Sequence, residues 1–404
     1  MQAAMLLVPF AGLLFAGLLQ ADATYAVTDL GTLGGSSTVA FGINSSGNAV
    51  GWGETSAGDI GAYAFGSGGA MQNLAGLAGG TDAYAYGINS SGTTVGISYI
   101  NGQAHGEMWS GKQTTDLGTG VFATGINDAG EVVGGNGHAF LLANGTLNDL
   151  GVLPGGSWSS AYGINSAGSV VGYGDIGNGT FRGFVWTATG GMQELGTFGG
   201  SNSYAAAINS SGEVVGHASL SSGYENAFIE IGGVMTDLGS LGGGSSYAYG
   251  INDSGIVVGY SWVAGDDNPH AFVYLNGEML DLNTLIPSGS GWELLEAYGI
   301  NDAGDIVGEG LFDGQSHAFM LDPAAGWSLG FDPQPVPEPG TWPVILIGLV
   351  MVYYVRRKQK QSIVKRDERF GRQRSHGHSR RSLTPPAARP IFRRLSATGN
   401  SARQ

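Results

Sequence analysis

The sequence predicts an all-β repeat protein, a seven-bladed β-propeller built from four-stranded blades. A phrase containing Gly-Ile-Asn, or in one repeat Ala-Ile-Asn, returns seven times at intervals of 38 to 49 residues, a period typical of propeller blades or stacked solenoid units. Two further phrases, Asp-Leu-Gly and Ala-Phe, with variants, also return seven times in a fixed cyclic order. The array begins near Tyr25 and stops near Leu321 in the middle of a unit.

Each Gly-Ile-Asn phrase predicts a β-hairpin. Large and small residues alternate before the asparagine, as in Tyr84-Ala85-Tyr86-Gly87, and a strand places such residues on opposite faces. Asn, two small polar residues and Gly suit a type I turn in which Gly takes the left-handed conformation. In four repeats a Val-Val pair then opens the return strand. The turn asparagines are Asn44, Asn89, Asn127, Asn165, Asn209, Asn252 and Asn301.

The other two phrases predict the outer strands of each unit. Asp29-Leu30-Gly31 ends the first such strand, whereas Ala64-Phe65 and Ala318-Phe319 centre the other kind. With the two hairpin strands, a unit has four strands, as a propeller blade has. The first Asp-Leu-Gly strand and the last Ala-Phe strand complete a unit only if they meet, so we predict that they share a blade. An open β-solenoid, in which polar caps would cover both ends, is the alternative.

Composition and charge limit the possible functions. Gly accounts for 74 of 404 residues, but 42% of the chain is hydrophobic and the glycines recur at fixed points, which favours a packed fold over disorder or collagen. The chain has no cysteine, so disulfides, thiol nucleophiles and thiolate metal sites are excluded. Before residue 356, 30 acidic residues face only Lys112 and Arg182, a net charge of −28. This charge argues against nucleic acid or anionic lipid as a partner.

The two ends of the chain predict export and membrane attachment. Residues 1–23 hold an apolar run and an A-x-A cleavage pattern, which predicts a signal peptide handled by the Sec translocon and signal peptidase. The β domain is predicted at 24–325 and a proline-rich linker at 326–341. An apolar run at 342–355 predicts a transmembrane helix, although 14 residues are short for a bilayer. A basic, disordered tail is predicted at 356–404, with Arg356, Arg357 and Lys358 as the cytoplasmic flank of the helix.

Two resemblances agree with these predictions. The phrases Asp-Leu-Gly-Thr-Leu-Gly-Gly, Gly-Ile-Asn-Ser-Ser-Gly and His-Ala-Phe resemble the HAF repeats of bacterial extracellular proteins over about residues 25–321. That resemblance implies export and a β-rich repeat fold, and no reaction. The motif Val336, Pro337, Glu338 and Pro339, followed by the apolar run and the basic flank, resembles the PEP-CTERM sorting signal of Gram-negative bacteria. It implies retention in the inner membrane until an exosortase-type protease cleaves near the motif, and then a place at the cell surface.

Few patterns indicate chemistry. Gly172 to Gly177 matches G-x-G-x-x-G but leads into a predicted strand, whereas a dinucleotide site needs a helix there. His138, His270 and His317 precede Ala-Phe in three repeats; their separation by whole blades favours a polar role at strand starts over a metal ring. Carboxylates in the turns, such as Asp128 and Asp253, lack a calcium-loop pattern. We therefore predict no cofactor and no catalytic or metal-binding residue.

Three functions remain as hypotheses. The favoured one is a non-enzymatic surface or matrix protein associated with extracellular polysaccharide. The second is a carbohydrate-binding propeller whose tryptophans stack on sugar rings, although packing between blades is the favoured role for these side chains. The third, a glycan-cleaving enzyme, is disfavoured because no repeat is visibly specialised. The tryptophans considered are Trp52, Trp109, Trp158, Trp186 and Trp262.

Overall fold

The computed structural model describes residues 25–66 and 68–323. This part of the chain is all-β apart from one 3₁₀ helix, Leu282–Thr284. Its strands are β1 (Tyr25–Asp29), β2 (Gly34–Ile43), β3 (Ala49–Thr55), β4 (Ile60–Phe65), β5 (Met71–Asn73), β6 (Gly80–Ile88), β7 (Thr94–Ile100), β8 (Gln103–Ser110), β9 (Gln113–Thr119), β10 (Phe122–Ile126), β11 (Val132–Gly135), β12 (Ala139–Ala143), β13 (Thr146–Gly151), β14 (Ser159–Ile164), β15 (Val170–Asp175), β16 (Phe181–Thr187), β17 (Gly191–Glu194), β18 (Gly199–Ile208), β19 (Val214–Leu220), β20 (Glu225–Ile231), β21 (Val234–Asp237), β22 (Gly242–Ile251), β23 (Val257–Val263), β24 (Pro269–Leu275), β25 (Glu278–Asp281), β26 (Trp292–Ile300), β27 (Ile306–Phe312) and β28 (Gln315–Pro323).

These strands form seven antiparallel blades of four strands. Blades 1 to 6 are β2–β5, β6–β9, β10–β13, β14–β17, β18–β21 and β22–β25, and blade 7 is β26–β28 with β1 on its outer edge. A single parallel pairing, Ser37 with Ser316, also links blades 1 and 7. The inner strand of each blade contacts the inner strands of both neighbours, and β2 meets both β6 and β26. The blades thus close into a ring, which confirms the propeller and excludes the open solenoid.

The ring is closed by the two ends of the described chain. Strand β1 pairs antiparallel with β28, from Tyr25 opposite Pro323 to Asp29 opposite Phe319. The side chain of His317 reaches across this pairing, with its Nδ1 2.9 Å from Asp29 Oδ1. The prediction that the first Asp-Leu-Gly strand shares a blade with the Ala318-Phe319 strand is confirmed.

The predicted hairpins are present, with one modification. Each asparagine turn joins the first two strands of a blade, and the turn glycine is left-handed, as at Gly47 with φ 74°. The alternation of large and small residues is interrupted in all seven blades by a β-bulge three residues before the asparagine. In blade 1, Ala40 pairs with Gly51 and Gly42 with Val50, so Phe41 is the extra residue. The bulge turns this side chain toward the neighbouring blades.

Aromatic rings on the third strands fill the spaces between blades. Phe140, Phe184, Phe228, Phe272 and Phe319 are fully buried, each opposite a glycine of the adjacent strand. A Cβ atom at such a glycine would overlap the inner strand, as at Gly51 against the Val39 carbonyl oxygen. Only glycine fits there.

The register corrects one sequence assignment. In blade 1 the glycine lies opposite Tyr63, so the equivalent of Ala-Phe is Ala62-Tyr63 and the predicted Ala64-Phe65 is two residues too late. In blade 2 the ring position is occupied by Glu107. Ala62-Tyr63 and Ala64-Phe65 are consecutive pairs on one strand. Because the side-chain pattern of a strand repeats every two residues, the sequence alone does not distinguish the two registers.

Several predictions concern residues outside 25–66 and 68–323. They are the signal peptide, the PEP motif at Val336 to Pro339, the transmembrane helix and the basic flank at Arg356 to Lys358. Among the residues that the structure describes, no helix has the length and apolar character needed to cross a bilayer.

Candidate binding site around the central channel

The turn asparagines form a closed circle of hydrogen bonds around the ring. Each Nδ2 donates to the backbone carbonyl oxygen of the asparagine in the next blade, at 3.0 to 3.2 Å, and Asn301 completes the circle by donating to Asn44. Each Oδ1 accepts backbone N–H groups of its own turn, as Asn252 does from Ser254 and Ile256. All seven side chains are buried. The asparagines predicted as turn residues therefore also join the blades.

The inner strands approach closely just before these turns. A Cβ at Gly42 would lie 2.9 Å from the carbonyl oxygen of Tyr86 in the next blade, and equivalent glycines face equivalent carbonyls. Blade 5 has Ala207 at this position. The Gly of Gly-Ile-Asn thus sets the spacing of the blades at the channel.

The histidines before Ala-Phe bind within their own blades and do not form a metal ring. Nδ1 of His138 lies 2.9 Å from Asp149, and His270 and His317 pair in the same way with Asp281 and Asp29. The equivalent residue in blade 2 is His105, which pairs with Asp116 and was not predicted from the sequence. The equivalent residue in blade 1 is Gly61. In blade 4 the pair is Arg182 with Glu194, and in blade 5 it is Asn226 with Asp237. These pairs tie the third strand to the outer strand.

A continuous series of twelve rings surrounds most of the channel; we call it the aromatic belt. Successive ring centroids are 4.7 to 6.5 Å apart, within the range of aromatic pairing. The belt crosses six blades and is interrupted in blade 3, where the channel positions are Thr124 and the exposed Phe122. In order, its members are Trp52, Tyr84, Tyr86, Phe41, Tyr298, Tyr249, Tyr260, Tyr247, His217, Tyr204, Tyr173 and Trp158.

Carboxylates lie along the belt in blades 5 and 7. Glu296 and Glu309 are direct partners on β26 and β27, so their side chains share one face of the sheet. Glu296 accepts a hydrogen bond from the Tyr298 hydroxyl, and Glu309 accepts one from Ser316 at 2.9 Å. Glu225 lies 4.0 Å from Nε2 of His217.

Burial and these charges set the protonation of the belt. Burial raises the pKa of Tyr298 well above its usual value, and the charges of Glu296 and Glu309 add to the effect. Burial, with the Asp82 charge, raises the pKa of Tyr84 to about 12. Burial also lowers the pKa of His217 to about 3, so that imidazole is neutral at physiological pH. The belt therefore consists of neutral rings with hydroxyl groups near carboxylates; Tyr247 and Tyr260 are buried, whereas the other rings are partly exposed.

The tryptophans considered from the sequence divide between two roles. Trp52 and Trp158 are the two ends of the belt and are partly exposed. Trp109 is buried in the core between blades 1 and 2 and donates to the Ala75 carbonyl oxygen at 2.9 Å. Trp186 packs against the core between blades 3 and 4, and Trp262 is partly exposed on β23.

The belt carboxylates Glu296 and Glu309 were not predicted from the sequence. Counting from each asparagine, Glu296 occupies the position of Tyr84 and Tyr247, and Glu309 occupies the position of Trp52 and Tyr260. Two glutamates where other blades have rings are a specialisation that an alignment of the seven repeats could have shown. Blade 7 is thus distinct from the others.

Glu107 is a second carboxyl group that differs from the other blades. Its side chain is fully buried between blades 1 and 2, where five blades have phenylalanine. Ser98 Oγ donates to Glu107 Oε2, and Oε1 has no hydrogen-bond partner. Burial, only partly offset by a backbone hydrogen bond from Leu77, raises the pKa of Glu107 to about 8. The group is neutral over much of the physiological pH range.

Comparisons with known proteins assign neither a family nor an activity to this chain. A scan against protein-family models gives no match, and a search of curated proteins gives none. Among solved structures, the chain is similar to a Mycobacterium tuberculosis puromycin-hydrolyzing peptidase (11% identity, 76% of this chain and 52% of that one, TM-score 0.49). It is also similar to the β-propeller domain of the Trilobed protease from Pyrococcus furiosus (9%, 76% and 99%, 0.46) and to virginiamycin B lyase from Staphylococcus aureus (12%, 74% and 99%, 0.46). Identities this low carry no conclusion about a reaction.

Proposed function

We propose that this chain is an exported, non-enzymatic propeller that binds neutral polysaccharide at the cell surface through the aromatic belt. The observation that carries the proposal is the belt itself, twelve adjoining rings with carboxylate acceptors beside them. Aromatic faces stack on the apolar faces of sugar rings, and carboxylates accept hydrogen bonds from hydroxyl groups. Residues 25–323 contain 27 acidic and two basic residues, a net charge of −25, which disfavours polyanionic glycans.

The place of action is proposed from the termini. The signal peptide at 1–23 and the resemblance to HAF repeats both imply export. The resemblance of Val336 to Pro339 to a PEP-CTERM signal supports processing by an exosortase-type protease and association with exopolysaccharide. A binding surface for glycans suits a protein that stays among them.

A glycan array with the full chain, followed by calorimetry on each positive glycan, tests the binding function. Replacing Trp52 or Tyr84 by alanine should weaken binding about tenfold, since losing one stacked ring costs about 1.4 kcal/mol. Tyr224→Ala is the matched control, because Tyr224 is exposed and outside the belt. Binding that survives both belt substitutions, or no bound glycan at all, would contradict the proposal.

A glycan-cleaving enzyme is the second candidate, favoured by the Glu296 and Glu309 pair. Glycosidases use two carboxyl groups on either side of the scissile bond. If the chain cleaves polysaccharide, incubation should release reducing ends, and Glu296→Gln and Glu309→Gln should each abolish the release while Glu278→Gln, on an exposed side chain, should not. A chain that binds glycans without releasing reducing ends is a binding protein.

A further inference from the structure

The strongest unassigned group of side chains lies between blades 6 and 7. Asp266 follows β23, His270 is on β24 and Glu293 is on β26. One ligand atom from each lies within 4.8 Å of the others. The three residues therefore converge from a loop and two strands on one point.

The imidazole of His270 is oriented for metal binding. Its Nδ1 lies 2.7 Å from Asp281 Oδ2, and a ring proton held on Nδ1 by this carboxylate would leave the Nε2 atom available as a metal ligand. Nε2 lies 3.3 Å from Asp266 Oδ2. A carboxylate behind a ligating histidine is a recurrent feature of metal sites, where it fixes the tautomer and the ring orientation.

Both carboxylates are positioned by one residue, Asn268. Asn268 donates through its backbone N–H to Asp266 Oδ1 at 3.1 Å and through Nδ2 to Glu293 Oε1 at 2.9 Å. The remaining oxygen of Asp266, Oδ2, faces His270, and a carboxylate oxygen of Glu293 lies within 4.8 Å of the ligand atoms of both residues. The site is thus held in shape by residues that are not its ligands.

The other blades show that the fold does not require this arrangement. His105, His138 and His317 make the same Nδ1 contact with an aspartate. The Nε2 atom of His105 lies 3.3 Å from the Thr119 hydroxyl, and the ring of His317 packs edge-on against the stacked rings of Trp292 and Phe312. In the described residues, three such groups converge only at His270.

We propose that Asp266, His270 and Glu293 bind one divalent transition-metal ion, for which Zn²⁺ is the best fit. One imidazole nitrogen with two carboxylate oxygens is a donor set that Zn²⁺ accepts, whereas Ca²⁺ prefers oxygen ligands alone. Asp266 is exposed, so water completes the coordination. The bound ion joins the β23–β24 loop of blade 6 to the inner strand of blade 7.

The proposal is tested by titrating the EDTA-treated full chain with ZnCl₂ in a calorimeter. His376 and His378 in the tail are first replaced by alanine, because two nearby histidines bind zinc by themselves. We expect one Zn²⁺ per chain and an increase in the melting temperature on binding. His270→Ala should abolish this binding, and Asp281→Asn, which removes the charge behind the imidazole, should weaken it 10- to 100-fold.

His138→Ala is the matched control, since His138 has the same aspartate contact without further carboxylates. Glu293→Gln provides a second ligand variant that leaves the His270–Asp281 contact in place, and far-UV circular dichroism reports whether each variant is folded. The proposal is wrong if no Zn²⁺ binds, if His138→Ala weakens binding as much as His270→Ala, if folded Glu293→Gln binds like the parent, or if Ca²⁺ binds more tightly than Zn²⁺.

Discussion

At the scale of the residue, the seven turn asparagines each perform two tasks. The side-chain oxygen completes the local turn, and the side-chain nitrogen binds the neighbouring blade. Aspartate can replace asparagine in the first task but lacks a donor for the second. The two contributions can therefore be separated by a single substitution.

We predict that Asn252→Asp destabilises the chain by about 1 to 3 kcal/mol, because the new carboxylate faces the Asn301 carbonyl oxygen without a hydrogen to share. Urea unfolding measures the change. Asn178→Asp is the control, since Asn178 is an exposed left-handed turn residue. If both variants unfold at the same urea concentration, the circle adds nothing to stability.

Glu107 predicts a pH dependence of stability. Its pKa is raised from 4.5 to about 8 by burial, so between these values the unfolded chain loses a proton that the folded chain keeps. The contribution of Glu107 to the free energy of unfolding is then fully present below pH 4.5. It falls as pH rises from 4.5 to 8, by about 1.4 kcal/mol per pH unit and at most about 5 kcal/mol in all.

Glu107→Gln should remove this slope. Urea unfolding at several pH values between 5 and 8 gives the free energy of unfolding of parent and variant. Their difference isolates Glu107, because the other carboxyl groups contribute equally to both proteins. For Glu278→Gln, which changes an exposed side chain, the plot of unfolding free energy against pH should be parallel to that of the parent. Parallel curves for Glu107→Gln as well would show that Glu107 ionises normally.

At the scale of the element, the outer strand of blade 7 differs from the other six because it comes from the opposite end of the chain. Strand β1 is held by its pairing with β28 and by the His317–Asp29 contact. The same histidine–aspartate contact recurs inside blades whose strands are consecutive. Closure therefore uses contacts that the repeat already contains.

A disulfide across this pairing should stabilise the ring. Ala26 and Asp322 are directly opposite and both exposed, and the chain has no cysteine to compete. We predict that Ala26→Cys with Asp322→Cys oxidises spontaneously and stabilises the chain by about 6 kcal/mol in the loop-entropy model. Non-reducing electrophoresis and melting with and without reductant measure it.

The control pair is Ala26→Cys with Asp313→Cys, in which the second residue lies at the far end of the β27–β28 hairpin. It should remain reduced. Equal oxidation of both pairs would mean that β1 is not fixed in the register observed.

Much of this architecture could be predicted from the sequence because it repeats. Three phrases, each repeated seven times in a cyclic order, predict the blades, and the phase of the cycle predicts closure. The histidine–aspartate pairs could also have been recognised in the sequence. Asp116 follows His105 by 11 residues, and in the blade where the acid is Glu194 the partner is Arg182. The bulge was missed because it leaves the spacing of the phrase unchanged.

The candidate sites were harder to predict because they depart from the repeat. Glu296 and Glu309 come together only through the pairing of β26 with β27. Asp266 and Glu293 belong to different blades and meet only because blades 6 and 7 are neighbours. No spacing along the chain predicts the contact between Asp266 and Glu293, whereas Glu296 and Glu309 stand at fixed offsets from Asn301 that an alignment of the repeats could have shown.

At the scale of the whole molecule, charge separates the chain into two parts. Residues 25–323 have a net charge of −25, whereas the segment from Arg356 onward has 15 basic and two acidic residues. Cleavage between them would release an acidic propeller and leave a basic remnant at the membrane. The predicted sorting motif, Val336 to Pro339, lies between the two parts in the sequence.

If Val336 to Pro339 is a sorting signal, replacing Pro337, Glu338 and Pro339 by alanine should keep the full-length protein in the inner membrane, because the proposed protease loses its motif while the apolar run is unchanged. Fractionation and blotting against the propeller measure its size and location. Replacing Pro333 and Pro335 by alanine in the same linker is the control and should leave processing intact. Appearance of the triple variant at the surface, at the size and yield of the parent, would make the segment an ordinary anchor.

The pairing of β1 with β28 also makes the starting point of the chain arbitrary. Tyr25 and Pro323 are partners across one ladder, so a short linker could join them, and new ends could be opened between Gly232 and Gly233, in the turn before β21. Such a circular permutant would begin with β21, the outer strand of blade 5, and end with β20. Blade 5 would then be completed by pairing the first strand of the chain with the last, as blade 7 is in the parent. It should fold and melt within a few degrees of the parent, since every blade has the same two neighbours wherever synthesis begins.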